Sequence, residues 1–505
     1  MLEIIFGKQL SMISAGFLIF CALIVFFYRI APGRLRTAVL CAANLGFMYL
    51  AGGREGMLLL VLSLLAGYTG CLVVESTRGW MKTVWFAIFL TGIFALLALC
   101  RYVPFFLAQG GLQVPVWLPE VPGISFYTLT IAACLIQVYW GGMRAERSVV
   151  RFTAFAGFFP TLSSGPVMDP PSMLRQFRLA ARPDYNHITS GAQRILWGFF
   201  KKLVISERLA VLVNAVYGDY HTYSGWYILM ATGAFALQLY TDFSGCMDIA
   251  CGAGEMLGFT LPENFDLPFL AETESELWRR WHITLGEWFK NYVMYPLLKS
   301  PALLKVRELS ISRFGKRKGK QIPPRIAMLV LWFLIGFWHG GGLKFIIGSG
   351  LLHACLMILG QLLEPAAHRI NVMLHVTEGG TLNRWFRRAR TFLCLCSGFV
   401  FFRADTFRDA LGLYRGMFSG NRALFSAEGY LALGLDGKDS VILVLSLFLL
   451  FALERLHRKA SVRSRVSALS LPVRWTLYLA MFLCVAVFGM YGPGYQASAF
   501  IYAKF

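Results

Sequence analysis

Long uncharged runs dominate this chain, and they decide most of what it can fold into. About a dozen windows are apolar with few or no charges, the pattern of membrane-spanning helices. They are Ile13 to Tyr28, Leu40 to Leu50, Met57 to Val74, Val84 to Leu99, Ile124 to Trp140 and Ile195 to Ile205 in the first half. Trp226 to Leu239, Ile326 to Trp338, Phe345 to Leu362, Thr391 to Phe402, Val441 to Leu453 and Trp475 to Met490 follow. A full span needs about 20 residues, so the shorter runs are expected to tilt, re-enter or pack wholly against protein. The expected fold is all-α: a polytopic integral membrane protein, treated as a single domain over 1–505. Within it, 1–122 supplies N-terminal helices, 123–362 the core with both candidate histidines, and 363–505 the C-terminal helices.

Charge distribution supports that reading. Only 15% of residues are charged, against about 25% in a soluble domain. The formal net charge of +21 would fit a nucleic-acid binder if the cations shared a face. Instead Lys and Arg cluster in short stretches between apolar runs: Arg29 to Arg36, Arg78 to Lys82, Arg144 to Arg151, Lys299 to Arg325, Arg384 to Arg390 and Arg455 to Arg474. That is the positive-inside pattern. It places the N-terminus outside, the Arg29 to Arg36 loop in the cytoplasm, the charge-poor Ala108 to Gly123 outside, and Arg144 to Arg151 inside again. The N-terminal run lacks a basic lead and a small-residue cleavage site, so it reads as a retained helix. The eleven cysteines lie mostly in apolar runs as small hydrophobes, with no CxxC spacing for a metal or disulfide framework.

Two histidines stand out because they mark the two ends of the stretch from Trp278 to Gly342, His282 beside an aromatic cluster and His339 at the end of an apolar run. His282 sits in WRRWHITLGEWFKNYVMYPL (Trp278 to Leu297), and His339 ends LVLWFLIGFWHGGG (Leu329 to Gly342). An imidazole is costly to hold in hydrocarbon without a function or a partner. A neutral histidine suits general-base work near neutral pH. The expectation is that the two meet in a water-accessible cavity, with His339 taking the proton of an acceptor hydroxyl as it attacks an acyl carbonyl. From Leu277 the apolar positions recur at helical spacing, which predicts one amphipathic helix lying at the cytoplasmic interface. Trp281 and Trp338, adjacent to the histidines, and Asn291 and Ser164 are candidate tunnel-lining or substrate-binding residues.

Asp242, Ser244 and Asp248 lie on an otherwise apolar helix. A carboxylate at membrane depth costs about 2.5–3.5 kcal/mol, so it needs a partner or a polar cavity. Pairing of Asp242 with Arg279 or Arg280 would make it structural; Asp242 and Ser244 lining the cavity is the other reading. No third ligand stands at metal-site spacing, so no metal is expected. FAGFFPTLSSGPVMDPPSMLRQF (Phe155 to Phe177) breaks helical regularity at several prolines. Such backbone must be buried in protein or line a cavity, which predicts a re-entrant or interfacial element on the cytoplasmic side. The basic stretch Lys299 to Arg325 reads as a solvated loop against anionic headgroups, or as a docking surface for an acidic carrier or a phosphate-bearing donor. Arg101 and Tyr102 read as a helix end at the interface.

Taken in order, GISFYT, FFPTLSSGP, YTDFSGCMDIACGAGEMLGF, ENFDLPF, WRRWHITLGEWFKNYVMYPL and GFWHGGG resemble the membrane-bound O-acyltransferase (MBOAT) superfamily, in its bacterial branch of alginate O-acetylases and D-alanyl-lipoteichoic-acid transferases. The resemblance covers nearly the whole chain. It implies that His339 is the membrane-embedded catalytic histidine and His282 the second functional one. It also implies about 11–13 membrane helices around a tunnel or funnel, in a multi-pass protein of the bacterial cytoplasmic membrane. Through the tunnel, an acyl group from a cytoplasmic thioester reaches a hydroxyl of an envelope polymer. No cofactor is expected to be permanently bound. The donor would be a phosphopantetheine thioester on a carrier protein, or acetyl-CoA; the acceptor, a polymer or a partner transferase outside. FFPTLSSGP looks like the D-alanyl-transferase form, whereas TFLCLCSGFVFFRAD and the tail FIYAKF look like the longer acetylase form; D-alanyl transfer is the single expectation drawn. A transporter or flippase predicts inverted repeats, and the two halves share no corresponding broken segments. A scaffold that only docks enzymes would leave His339 without a purpose.

Overall fold

The computed structural model describes residues 10–115, 118, 121–377, 379–457, 462–491 and 501. Among these residues every regular element is helical, and the one β contact is an isolated antiparallel bridge between Phe265 and Trp281. All of the apolar runs named above fall on helices. The tail from Gly492 to Phe505, apart from Ile501, lies outside the described residues, as does much of the external loop around Val116 to Glu120.

The N-terminal helices are α1 (Ala15–Ile30), α2 (Gly33–Ser76), α3 (Gly79–Gln109) and α4 (Ile124–Trp140). At 1.5 Å per residue, 44 helical residues would reach more than twice the hydrocarbon thickness of about 30 Å. Gly53, at φ +69° and ψ −167°, resolves this by breaking α2 into two spans. The break lies beside Pro122, while Glu75 near the far end of α2 pairs with Arg147. Arg36 near its start donates to the Ala180 carbonyl. Both ends of α2 therefore sit with the basic stretches Arg29 to Arg36 and Arg144 to Arg151, and its middle sits with the charge-poor Ala108 to Gly123 segment.

The Pro-rich segment is re-entrant. It comprises α5 (Val149–Ala156), α6 (Phe159–Leu162) and α7 (Pro170–Leu179). It runs from the Trp140 end of α4 until Leu162 and Ser163 abut Gly123 at the opposite end of that helix, then returns. Asn44 of α2 clamps the break: its Nδ2 donates to the Thr153 and Ala154 carbonyls, and its Oδ1 accepts from the Phe159 amide. These bonds satisfy backbone groups that no helix serves and lipid cannot.

Next come α8 (Tyr185–Phe199), a π-helical stretch Phe200–Ser206, α9 (Glu207–Gly218) and the long α10 (Trp226–Met256). α8 and α10 approach backbone to backbone through Gly191 and Gly198 on one and Gly252 and Gly245 on the other. A Cβ at any of the four would come within 3 Å of the opposing helix's carbonyl oxygen. Small residues are what permit this contact.

Beyond α10 lie α11 (Glu274–Arg280), α12 (Ile283–Phe289), α13 (Pro301–Gly319), α14 (Ile322–Gly340), α15 (Lys344–Met373), α16 (Thr381–Arg403), α17 (Gly437–His457) and α18 (Leu471–Phe488). Among the described residues six helices have the length and apolarity to cross a membrane: α2, α3, α14, α15, α17 and α18. The chain is thus an all-α, multi-pass membrane protein. The apolar run that begins in α8 is interrupted by Lys201 and Lys202, and α10 carries Asp242 and Asp248 beyond its apolar run, with most of α10 buried. The basic stretch expected as a loop is mostly the helix α13, capped by Ser300 and kinked at Gly315.

Candidate active site

The Trp278 to Leu297 segment does not form the single surface helix that its spacing predicts. α11 ends at Arg280, Trp281 is extended, His282 takes a left-handed conformation (φ +48°, ψ +49°), and α12 starts at Ile283. A non-glycine residue in that region is uncommon and costs free energy that its surroundings must offset. The surroundings here are specific. Asn264, from ENFDLPF, accepts the Ile283 amide with its carbonyl and accepts both the Thr284 amide (3.0 Å) and the Thr284 hydroxyl (2.8 Å) with Oδ1. The bridge from Trp281 to Phe265 completes the bend. As a result His282 and Trp281 point into the protein, 4% and 2% exposed, rather than lying at an interface.

The Thr284 amide can only donate, so it fixes which end of the Asn264 amide faces it. The same Oδ1 stands 3.4 Å from His282 Nδ1. That arrangement favours the tautomer with hydrogen on Nδ1 and makes Nε2 the basic nitrogen. The Thr284 hydroxyl also accepts the Val167 amide, tying the re-entrant segment to the His282 bend. Asn264 and Thr284 are absent from the candidates drawn from sequence; the signal was an Asn inside a quoted motif, at a position whose backbone role needs the bend to be seen.

His339 occupies the last turn of α14. The helix stops two residues later because Gly341 adopts φ +73°, a conformation glycine takes freely, with Tyr102, Phe105 and Phe106 of α3 packed against it. His339 is 7% exposed. Trp338 links the two histidines: its ring centroid is 6.1 Å from His282 and 5.1 Å from His339. Phe243 of α10 meets His282 edge-on at 4.6 Å, and Phe402 of α16 meets His339 at 5.7 Å. Segments far apart in the chain therefore converge on one aromatic-walled histidine pair.

The remaining sequence candidates fall elsewhere. Asp242 pairs with Lys202 (2.5 Å), not with Arg279 or Arg280; Arg280 is held by Asp266 and Glu276. Ser244 accepts from Lys201 at 2.9 Å on the α8 side of α10. Helical geometry turns both away from the histidines while presenting Phe243 to them. Ser164 is buried against Met12, and Asn291, in a π-helical turn after α12, is exposed. Trp281 packs on Tyr240, Phe265 and Phe399. His353 lies in a separate buried group, 2.6 Å from Glu274, with Trp278 also donating to that carboxylate.

Two cavities lie away from the pair. One, about 220 Å³, is lined by Asp219, His221, Asp405 and Asp409 among others. The other, about 430 Å³, opens at the Trp140 end of α4 and includes Arg144, Arg175 and Arg178.

A polytopic helical fold with two converging histidines defines a class, and comparison with known proteins names it. Residues 82–311 match MBOAT, the membrane-bound O-acyltransferase family. A probable alginate O-acetylase of Pseudomonas putida is 31% identical over 72% of this chain and 70% of its own length. A peptidoglycan O-acetyltransferase of Helicobacter pylori is 29% identical over 74% of this chain and 72% of its own. A teichoic acid D-alanyltransferase of Bacillus subtilis is 26% identical over 56% of this chain and 69% of its own. The chain belongs to the membrane-bound O-acyltransferase family, and its activity is that of an O-acyltransferase.

Proposed function

We propose that this protein moves an acetyl group from a cytoplasmic thioester to a hydroxyl of an extracytoplasmic cell-envelope polysaccharide. The observation that carries the reading is the meeting of His282 and His339 across Trp338. In the proposed step the His339 imidazole removes the acceptor's hydroxyl proton as that oxygen attacks the thioester carbonyl carbon. The tetrahedral intermediate collapses with cleavage of the C–S bond, and the proton passes to the departing thiolate, giving an ester and a free thiol. His282, held by Asn264, supplies the second imidazole, positioned to donate to or orient the reacting groups.

Acetyl is preferred to the D-alanyl group expected from FFPTLSSGP because the two relatives matched over nearly three-quarters of this chain are named for O-acetyl transfer. The relative named for D-alanyl transfer matches less of it. On the donor side, the arginine-lined cavity at the end of α4 suits the phosphates of acetyl-CoA or of a carrier's phosphopantetheine, alongside the basic helix α13. The acceptor would approach from the opposite face. The test is transfer by purified protein in lipid nanodiscs, supplied in parallel with radiolabelled acetyl-CoA, acetyl-carrier or D-alanyl-carrier and with a uronate or glycerol-phosphate oligomer. Labelled ester from an acetyl donor, lost in His339→Ala at equal folded yield, supports the proposal. Transfer that survives His339→Ala removes the proposed base, and ester formed from D-alanyl-carrier alone reassigns the donor.

A further inference from the structure

Arg101 is a charged residue that the mechanism above leaves unused. It lies in a π-helical turn of α3, Ala98–Tyr102, and such turns are frequent at functional sites. Nη1 donates to the Ser125 hydroxyl at the start of α4. Its guanidinium carbon lies 5.4 Å from the Trp338 ring and 5.6 Å from the Tyr102 ring. Nη2 is buried and has no hydrogen-bond acceptor, and among the described residues no carboxylate pairs with this arginine. The indole Nε1 of Trp338 is likewise buried without an acceptor.

A guanidinium held among aromatic rings without a counter-charge is unusual, since charges inside membrane proteins are ordinarily paired or face a polar pathway. Here two donors, one cationic, stand unused at Trp338, whose ring centroid lies 5.1 Å from that of His339. Position on α3 decides which reactant they meet. α3 starts after the cytoplasmic Arg78, and Ser125 follows the external loop, so Arg101 lies toward the outer face, where the acceptor enters. Contact with the histidine pair runs through Trp338. That spacing fits a second group on the acceptor, one side chain away from the reacting hydroxyl, better than it fits the thioester oxygen.

We propose that Arg101 is the acceptor-binding cation of this site: its guanidinium receives an anionic oxygen, carboxylate or phosphate, borne by the hydroxyl-containing acceptor. Trp338 would add its indole N–H to the same group. The inference rests on the acyl-transfer reading for the word acceptor, but the recognition itself is testable without turnover.

The experiment is equilibrium binding to the full chain in nanodiscs of neutral lipid. The probes are an oligouronate, its carboxyl-reduced neutral counterpart, and an oligo(glycerol phosphate) of similar length. The wild-type protein is expected to prefer one anionic probe to the neutral one by about tenfold or more, a range ordinary for one charge-assisted contact. The preferred probe identifies carboxylate or phosphate. Arg101→Gln should collapse that ratio to within about twofold, and Arg101→Lys should retain part of it. Equal wild-type affinity for charged and neutral oligomers overturns the proposal without any variant, as does an Arg101→Gln protein that keeps the preference. His339→Ala is measured alongside: a preference retained there, with transfer abolished, supports both readings. A preference that depends on Arg101 while transfer survives His339→Ala leaves the anion site standing and removes the base.

Discussion

Two of the polar regions buried among the helices of this protein follow opposite rules. Along the glycine-lined seam of α8 and α10, charge is matched by charge. Lys202 pairs with Asp242 and Glu207, and Lys201 and Arg194 share Asp248. Around His339 the pattern reverses: among the described residues Arg101 has no carboxylate, and the Trp338 N–H has no acceptor. Burying polar groups is expensive in both places. In the seam the cost is offset inside the protein, and the residues hold helices together. At the histidines it is left for a reactant to offset. An acidic residue in an apolar helix is therefore a poor guide to chemistry, whereas an unanswered donor beside two imidazoles is a good one.

The contrast can be broken by exchanging damage between the regions. His339→Ala should lower transfer by about 10²–10⁴-fold, the range for a general base, with folded yield and thermal midpoint near wild type. Lys202→Met should do the reverse. Leaving Asp242 and Glu207 buried without their cation should cost about 3–5 kcal/mol of stability, read as lost folded yield or a lowered midpoint, while transfer per folded molecule holds. Replacing all three with apolar residues of similar size should recover much of that loss. If instead Lys202→Met folds normally and abolishes transfer, the seam belongs to the active site and the contrast fails.

A smaller effect sharpens the boundary of the site. Asn264→Ala removes the acceptor of the Thr284 amide and hydroxyl and the neighbour of His282 Nδ1. Stranding those buried donors should cost about 1–3 kcal/mol. Some of this is expected as an approximately tenfold fall in turnover with donor KM little changed. Asn264→Asp, which keeps the acceptor oxygen, should restore more activity than Ala does. Equal turnover in all three proteins would make Asn264 a packing residue only.

These residues also show what could be read in advance. The two histidines were legible because His282 stands in an aromatic cluster and His339 ends an apolar run, and the helical class was legible because the spacing of runs and arginines leaves little else. The bend at His282 was not. Apolar positions from Leu277 onward keep helical period through it, and only long-range hydrogen bonds from Asn264 and the Phe265 bridge overrule that local preference. The partner of Asp242 was mistaken for the same reason: Arg279 and Arg280 are nearer in sequence than Lys202, but proximity across helices is set by the glycine contact of α8 with α10. Arg101 looked like an ordinary helix end until the π-helical turn and Trp338 placed it beside His339.

The smallest effect tests whether charge pairing in the turn between α4 and α5 behaves like the seam. Glu146, in the turn between α4 and α5, is buried, and its oxygens accept from Arg151 (2.7 Å), Arg178 (3.1 Å) and the Ser148 amide. Burial alone would raise its pKa; the Ser148 amide and the two arginines overcome this and leave the carboxyl below its ordinary value. A carboxylate with a depressed folded-state pKa stabilises fully above the unfolded value, and that contribution fades as pH falls through the folded one. Wild-type protein should therefore lose thermal midpoint on acidification below about pH 4.5 more steeply than Glu146→Gln, the two curves converging at the acid end. At neutral pH the substitution should cost about 1 kcal/mol, because both arginines are largely or partly open to solvent. Parallel curves would mean that the turn is held by the backbone alone, and would confine strong ionic pairing to the interior seam.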